Sequence, residues 1–170
     1  MPLSKTMKAS LAATLGLPLL AGACGLGPGD YVTYRVSGAV SSMSGDCDPG
    51  DDTTTIRSGS TVLIYFVEGA DGAIPYLDTG SAVLEGVETD DGYTFSGQTV
   101  DVNDQGNAEI TQTTKVTTDV ILDGASVSGT STTTVSTSCS GECGFFDPFT
   151  CTVKTEFVGV EVDETVTIAN

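Results

Sequence analysis

The residues best equipped for chemistry in this sequence are its five cysteines. Four of them follow the first predicted strand: Cys47, Cys139, Cys143 and Cys151. In an oxidising compartment an even set of this kind predicts two disulfides, and sequence alone leaves three pairings open. We favour a bridge from Cys47 to the Cys139–Cys151 segment, since closing ~100 residues constrains the unfolded chain by up to about 4–5 kcal/mol. The alternative is a four-thiolate zinc site, half of which the Cys139–Cys143 spacing could supply.

The fifth cysteine, Cys24, stands at the end of a leader-like segment. Lys5 and Lys8 precede a mostly apolar run from Ala9 to Ala23 that ends in small residues. This run is shorter than the ~20 apolar residues needed to cross a membrane, and its pattern is typical of a secretory signal peptide. We therefore predict a signal peptide over residues 1–23.

The cleavage region, Ala21-Gly22-Ala23-Cys24, resembles the lipobox of bacterial lipoproteins, in which the cysteine thiol is alkylated with diacylglycerol. Most members of that family have leucine where Ala21 stands, so ordinary cleavage with Cys24 as a spare thiol is the alternative. The resemblance implies a lipid anchor on Cys24. The glycine-rich residues that follow predict a flexible tether over residues 24–29, and the length of the remainder predicts one folded domain over residues 30–170. It also implies export to the cell envelope, at the outer membrane or cell surface, because Gly25 rather than aspartate follows the cysteine.

Charge and composition exclude several classes of function. The chain has 23 acidic residues, six basic ones and no histidine, for a net charge of −17. Nucleic-acid binding is excluded because phosphate contacts require the lysines and arginines that this chain lacks. The absence of histidine excludes Ser-His and Cys-His catalytic pairs. A carboxylate-based hydrolase would need two acids about 5–10 Å apart in a cleft, and we expect no enzyme and no cofactor.

The elements that must position these groups are β-strands. From Asp30 onward apolar and polar residues alternate, and turn signals such as Asp90-Asp91-Gly92 and Asp123-Gly124 recur. We predict an all-β, antiparallel up-and-down meander of seven or eight strands, forming either a small barrel or a two-layer sandwich. A split of Ile74–Glu88 at Asp78-Thr79-Gly80 would give eight strands and would bring all four later cysteines to one end of the fold.

Three segments carry more specific predictions. The apolar run Val62–Val67 is predicted to be a central strand covered on both faces, the alternative being one face of a barrel that meets a partner or lipid. Gly97 is predicted to be a bulge at which the apolar face of its strand switches. The segment Ala125–Ser138 is rich in serine and threonine and is predicted to be an edge or well-solvated strand.

Acidic clusters are the candidates for metal binding. Asp46, Asp48, Asp51 and Asp52 form the densest cluster and are weak candidate ligands for a surface Ca²⁺, although most such loops are simply solvated. Residues Asp101–Glu109 partly fit a calcium loop, but they lack its terminal glutamate. We therefore interpret that segment as a β-turn.

An aromatic loop is the candidate contact site. Phe145, Phe146 and Phe149 lie close together in a cysteine-flanked segment. If these phenylalanine rings are exposed, we expect them to contact a ligand or a partner. The alternative, which we favour, is a plug over the open end of the barrel, fastened by Cys143 and Cys151.

Strand order and cysteine placement together resemble small bacterial envelope lipoproteins with a disulfide-bonded, lipocalin-like domain. The resemblance covers topology only and implies no catalytic residues. Our functional expectation is a lipid-anchored cell-envelope protein with a non-enzymatic structural or interaction role, whose contacts are the membrane and an envelope protein partner. The alternative is a carrier that holds a small apolar ligand inside the barrel.

Overall fold

A computed structural model describes residues 26–48 and 56–163. The predicted signal peptide, the lipidation site Cys24 and the acidic residues Asp51 and Asp52 lie outside these ranges. The described strands are β1 (Tyr31–Gly45), β2 (Thr61–Gly69), β3 (Gly72–Asp78), β4 (Val83–Thr89), β5 (Gly92–Asp104), β6 (Ala108–Asp123), β7 (Ser126–Gly141) and β8 (Thr150–Glu161).

These eight strands of the described chain form one antiparallel up-and-down sheet that closes on itself. Each strand pairs with the next in sequence, and β1 pairs with β8 to complete the ring. The all-β prediction is confirmed, and of its two architectures the barrel is the one that forms. The split at Asp78-Thr79-Gly80 is also confirmed, because β3 ends at Asp78 and β4 begins at Val83.

The barrel wall is uneven in height. β6 and β7 pair along their whole length, from Ala108 opposite Gly141 to Asp123 opposite Ser126. By contrast, β3 and β4 pair only near Leu77 and Leu84. The long strands therefore extend beyond the short ones at one end, where both faces of β5 are exposed from Gln98 onward.

Glycines opposite large side chains make room in the narrow interior. Gly86 on β4 pairs with Phe95 on β5, and a Cβ at Gly86 would lie 2.5 Å from the Phe95 ring. On the other side of the barrel, Phe157 on β8 pairs with Gly38 on one neighbouring strand and Gly129 on the other. Phe95 and Phe157 are both buried. The large rings thus fill the barrel centre because the opposing positions carry no side chain.

The sequence predicts that the serine- and threonine-rich strand β7 is an edge or well-solvated strand. The structure differs, because β7 lies between β6 and β8 in the closed ring. Its inward face is buried at Ser131 and Thr133. The Ser131 hydroxyl shares a 2.9 Å hydrogen bond with the Thr118 hydroxyl of β6. Small hydroxyl side chains therefore serve here as core residues, because they pair with each other inside the barrel.

Two further predictions are wrong. The β5–β6 register runs without a break through Gly97, so no bulge occurs there. This glycine instead accommodates Leu84, whose Cδ2 atom would lie 2.6 Å from an added Cβ. The strand β2 is not fully covered on both faces, since only its inward residues are buried and Val67 is 43% exposed. On the outer face Tyr65 stacks on Tyr76 at a centroid distance of 5.4 Å.

Within residues 26–48 and 56–163, no helix has the length and apolar character required to span a membrane.

The glycine–phenylalanine pairing predicts that Gly86→Ala lowers the free energy of unfolding by about 1–3 kcal/mol, because the new methyl group overpacks against the Phe95 ring. Combining it with Phe95→Leu should cost less than the sum of the two single substitutions, by at least ~0.5 kcal/mol. Urea denaturation of the four proteins in this double-mutant cycle measures the coupling. In the control cycle, Gly86→Ala with Phe157→Leu should be additive; equal coupling in both cycles would contradict the pairing.

Candidate functional site

Candidate sites occupy the two ends of the barrel. The hairpins β2–β3, β4–β5 and β6–β7 turn at one end, where residues 26–30 also enter and β8 leaves; we call this the hairpin end. The connections β1–β2, β3–β4, β5–β6 and β7–β8 lie at the other end. All four later cysteines are in or beside the first and last of these connections, and we call this the cysteine end.

Two disulfides form at the cysteine end. Cys47 bonds to Cys151 across a sequence separation of 104 residues, and Cys139 bonds to Cys143 across a separation of four. This confirms both the predicted number of disulfides and the bridge from Cys47 to the Cys139–Cys151 segment. Paired in this way, the four cysteines have no free thiolate for the alternative zinc site.

The aromatic loop follows the small disulfide ring. Phe145 is fully exposed, whereas Phe146 and Phe149 are half-buried. The loop is held at its base, where the Thr137 amide donates to the Phe149 carbonyl and the Phe149 amide donates to the Thr137 hydroxyl. Both cysteines that flank the loop are held in disulfides, Cys143 to Cys139 and Cys151 to Cys47. The ring of Phe145 is exposed and available for contact.

The acidic residues of this end form ordinary loop contacts. The Asp46 amide donates to the Thr150 carbonyl at 2.8 Å, and the Thr150 amide lies 3.4 Å from an Asp46 carboxylate oxygen. Asp48 is exposed. The Asp104 carboxylate accepts a hydrogen bond from the Gly106 amide, which forms an Asx turn in the connection between β5 and β6. Among the described residues, no group of three acids or cysteines is placed to hold a metal ion.

A recess of about 690 Å³ opens at the hairpin end, in the mouth of the barrel. Its floor is apolar and includes Val32 and Leu122, and Leu26 packs beside them against the core. We call this site the mouth recess. Apart from Thr89, Gly92 and Gly124, its remaining lining residues are aromatic or acidic: Tyr31, Tyr34, Tyr93, Glu88, Asp90, Asp91 and Glu161. No lysine or arginine is among its described lining residues, so its electrostatic potential is negative.

Two tyrosines in the mouth recess each stand opposite a glutamate. In the strand register Tyr34 pairs with Glu161, and Tyr93 pairs with Glu88. Burial raises the pKa of Tyr34, and the Glu161 carboxylate and the Tyr93 phenol raise it further. Burial also raises the pKa of Tyr93, with Glu88 as the second cause. Both phenols therefore stay protonated at neutral pH.

The Tyr34 side chain is 2% exposed, yet its hydroxyl makes no hydrogen bond to another residue in the part of the chain that the structure describes. Tyr93 is held from behind by Phe66, edge to face at 5.6 Å, and by Phe95 at 6.1 Å. An unsatisfied buried hydroxyl costs about 1–3 kcal/mol. A ligand in the recess that formed a hydrogen bond with this hydroxyl would offset that cost.

Residues 26–30 form a turn that is fixed to this end of the barrel. The Gly29 amide donates to the Phe66 carbonyl, and the Phe66 amide donates to the Asp30 carbonyl. The Gly27 amide also donates to the Asp30 carboxylate at 2.7 Å. Residues 24 and 25 of the predicted tether lie outside the described ranges, and backbone hydrogen bonds to β2 restrain the chain from Gly29 onward.

Sequence reasoning missed the mouth recess altogether. Its residues come from five strands, two hairpin turns and the segment before β1, and together they form no local sequence motif. The only available signal is that tyrosines and glutamates stand near strand ends. That signal becomes informative only when the register is known, because Tyr34 and Glu161 belong to the first and last strands.

The raised pKa of Tyr34 predicts a pH effect on stability. Below pH 10.0, the ordinary pKa of tyrosine, the Tyr34 phenol is protonated in both the folded and the unfolded state. In that range it adds no pH dependence to the free energy of unfolding. Above that pH the unfolded chain ionises first, and stability falls until the folded-state pKa is passed. Tyr34→Phe should therefore flatten the loss of stability above pH 10.0, as measured by urea denaturation over a pH series. An unchanged slope would contradict this.

The two disulfides should contribute unequally to stability. Replacing Cys47 and Cys151 together by alanine should lower the free energy of unfolding by about 4–5 kcal/mol, because a long loop is released in the unfolded state. Replacing Cys139 and Cys143 together should cost only about 2 kcal/mol, because their loop is short. Urea denaturation under oxidising conditions compares the two double variants. Equal losses would show that loop length does not determine the effect.

Comparison of the chain with protein-family models, with curated proteins and with solved structures finds no match. The function must therefore be inferred from the residues themselves. Those residues offer a disulfide-framed contact loop at one end and a negatively charged aromatic recess at the other.

Proposed function

We propose that this protein is a lipid-anchored domain of the cell envelope, with a non-enzymatic structural or interaction role. The anchor is the diacylglycerol-modified thiol of Cys24, and the contact surface for an envelope partner is the aromatic loop around Phe145. The observation that carries the proposal is the polarity of the barrel: residues 26–30 enter at the hairpin end, and Phe145 is exposed at the cysteine end.

The compartment is supported by the cysteine chemistry. Two disulfides are consistent with an exported, non-cytoplasmic protein, because reducing compartments keep thiols free. The even pairing of Cys47, Cys139, Cys143 and Cys151 also leaves Cys24 as the fifth cysteine, without a disulfide partner among them. A thiol at the end of an apolar, small-residue leader is the position that lipid modification requires.

The polarity of the barrel supports the assigned contact surface. An anchor on Cys24 stands two residues before Leu26, which packs at the mouth recess. The hairpin end would then face the membrane, and the cysteine end would face away from it. The Cys139–Cys143 ring and the Thr137–Phe149 hydrogen bonds hold the base of the aromatic loop, so a partner would meet an exposed ring on a restrained backbone.

The second candidate is a carrier of a small ligand, and the mouth recess favours it. The barrel centre is an unsuitable place for such a ligand, because Ile64, Leu77 and Phe95 are fully buried there and pack against one another. A carried molecule would instead lodge at the hairpin end.

Lipid anchoring predicts the mass and the location of the protein. Protein from the membrane fraction should have the mass of the chain from Cys24 plus acyl chains, and reduction should add four hydrogens. Cys24→Ala should lack the acyl mass and should move to the soluble fraction, because the alanine methyl group cannot be acylated. In the control, replacing Cys139 and Cys143 by alanine should leave acylation intact. A membrane-fraction protein without acyl mass would reject the proposal.

A further inference from the structure

The mouth recess combines several features that bear on the ligand it could hold. It presents aromatic rings over an apolar floor, carboxylates around its rim, and no cationic side chain among its described lining residues. One buried hydroxyl, that of Tyr34, faces into this setting without a hydrogen-bond partner among the described residues. Each feature restricts the chemistry of a ligand that could occupy the recess.

Anions and uncharged apolar molecules fit the recess poorly. An anion would meet the carboxylates of Glu88, Asp90, Asp91 and Glu161 with no basic residue to compensate. An uncharged apolar molecule would cover the Tyr34 hydroxyl and the Glu161 carboxylate without offering either a hydrogen bond, which leaves polar groups buried and unsatisfied.

A bare metal ion also fits poorly. Divalent cations require several oxygen ligands converging on one point at about 2–2.6 Å. Among the described residues, the acids of the mouth recess form no group of three that could hold a metal ion. Their charge is therefore suited to a diffuse cation rather than to a point charge.

We propose that the mouth recess binds an organic ammonium ion whose nitrogen carries apolar substituents. The half-buried ring of Tyr93 supplies the aromatic surface for the ammonium group, and Glu161 and Glu88, opposite Tyr34 and Tyr93 in the strand register, supply the balancing negative charge. The apolar substituents lie on Val32 and Leu122, and a donor on the ligand satisfies the Tyr34 hydroxyl.

The framework around these groups is preorganised for such a ligand. Tyr93 is fixed by Phe66 and Phe95, and Tyr34 is held on β1 between β2 and β8. The neighbouring turn at residues 27–30 is hydrogen-bonded to β2. A ligand would therefore lose little affinity to ordering of the protein. This proposal depends only on the described barrel, and it stands whether or not Cys24 is acylated.

The probe that tests the proposal is choline, with 3,3-dimethylbutan-1-ol as its uncharged isostere. In an NMR titration of the full chain, choline should shift the ring signals of Tyr34 and Tyr93, and the isostere should bind at least about tenfold more weakly. Equal binding of the two compounds would overturn the proposal, because charge would then play no part. Choline titration without any shift of these ring signals would overturn it as well.

Matched variants locate the binding determinants. Glu161→Gln should weaken choline binding roughly tenfold, whereas Glu156→Gln, the same change of charge on the outer face of β8, should leave it within about twofold. Tyr34→Phe should weaken binding a few-fold while retaining the ring. Equal weakening by both glutamine variants would mean that only the net charge attracts the cation, and would reject the site.

The ammonium group could belong to a free solute or to a lipid headgroup, and a further titration distinguishes them. Monomeric dihexanoylphosphatidylcholine carries the same trimethylammonium group beside a phosphate. Tighter binding than that of choline assigns the recess to headgroups, because acyl contacts then outweigh repulsion of the phosphate by the acidic rim. Weaker binding assigns it to a free cation.

Discussion

The pairing of β1 with β8 is the interaction on which the rest of the structure depends. It runs from Tyr34 opposite Glu161 to Gly45 opposite Cys151, and the Cys47–Cys151 disulfide fastens it at its far end. Without this seam the sheet would have two exposed edges, at β1 and β8. Closure also brings the first and last strands together at the mouth recess, so the candidate ligand site exists only in the completed ring.

Closure of so small a ring imposes a limit on side-chain volume. Eight strands leave an interior that side chains just fill, and this chain fills it by placing glycine opposite its largest rings. Gly86 faces Phe95, Gly97 accommodates Leu84, and Phe157 lies between Gly38 and Gly129. The consequence for function is that large buried side chains occupy the barrel interior, and that the candidate sites described above lie at the ends.

Local patterns in the sequence predicted the fold well and the mouth recess not at all. Alternation and Asp-Gly turns are local signals, and they predicted the antiparallel meander; strand parity then related the eight-strand count to the Cys47 bridge. The Ser/Thr-rich β7 was misassigned to an edge because burial depends on which strands flank it. Gly97 was misread as a bulge because the side chain it accommodates, Leu84, is on another strand. The Tyr34–Glu161 pair depends on ring closure, which no local pattern encodes.

The hydrogen-bonded turn at residues 27–30 has an electrostatic consequence for an anchored protein. With Gly25 and Leu26 alone between Cys24 and that turn, and at most ~3.6 Å per residue, the acidic rim would stand about one Debye length from the headgroups. Anionic lipids would repel Glu88, Asp90 and Asp91 at that height, and a barrel without slack could respond only by tilting. Ionic strength would then control the inclination of the barrel, and with it the angle at which Phe145 is presented.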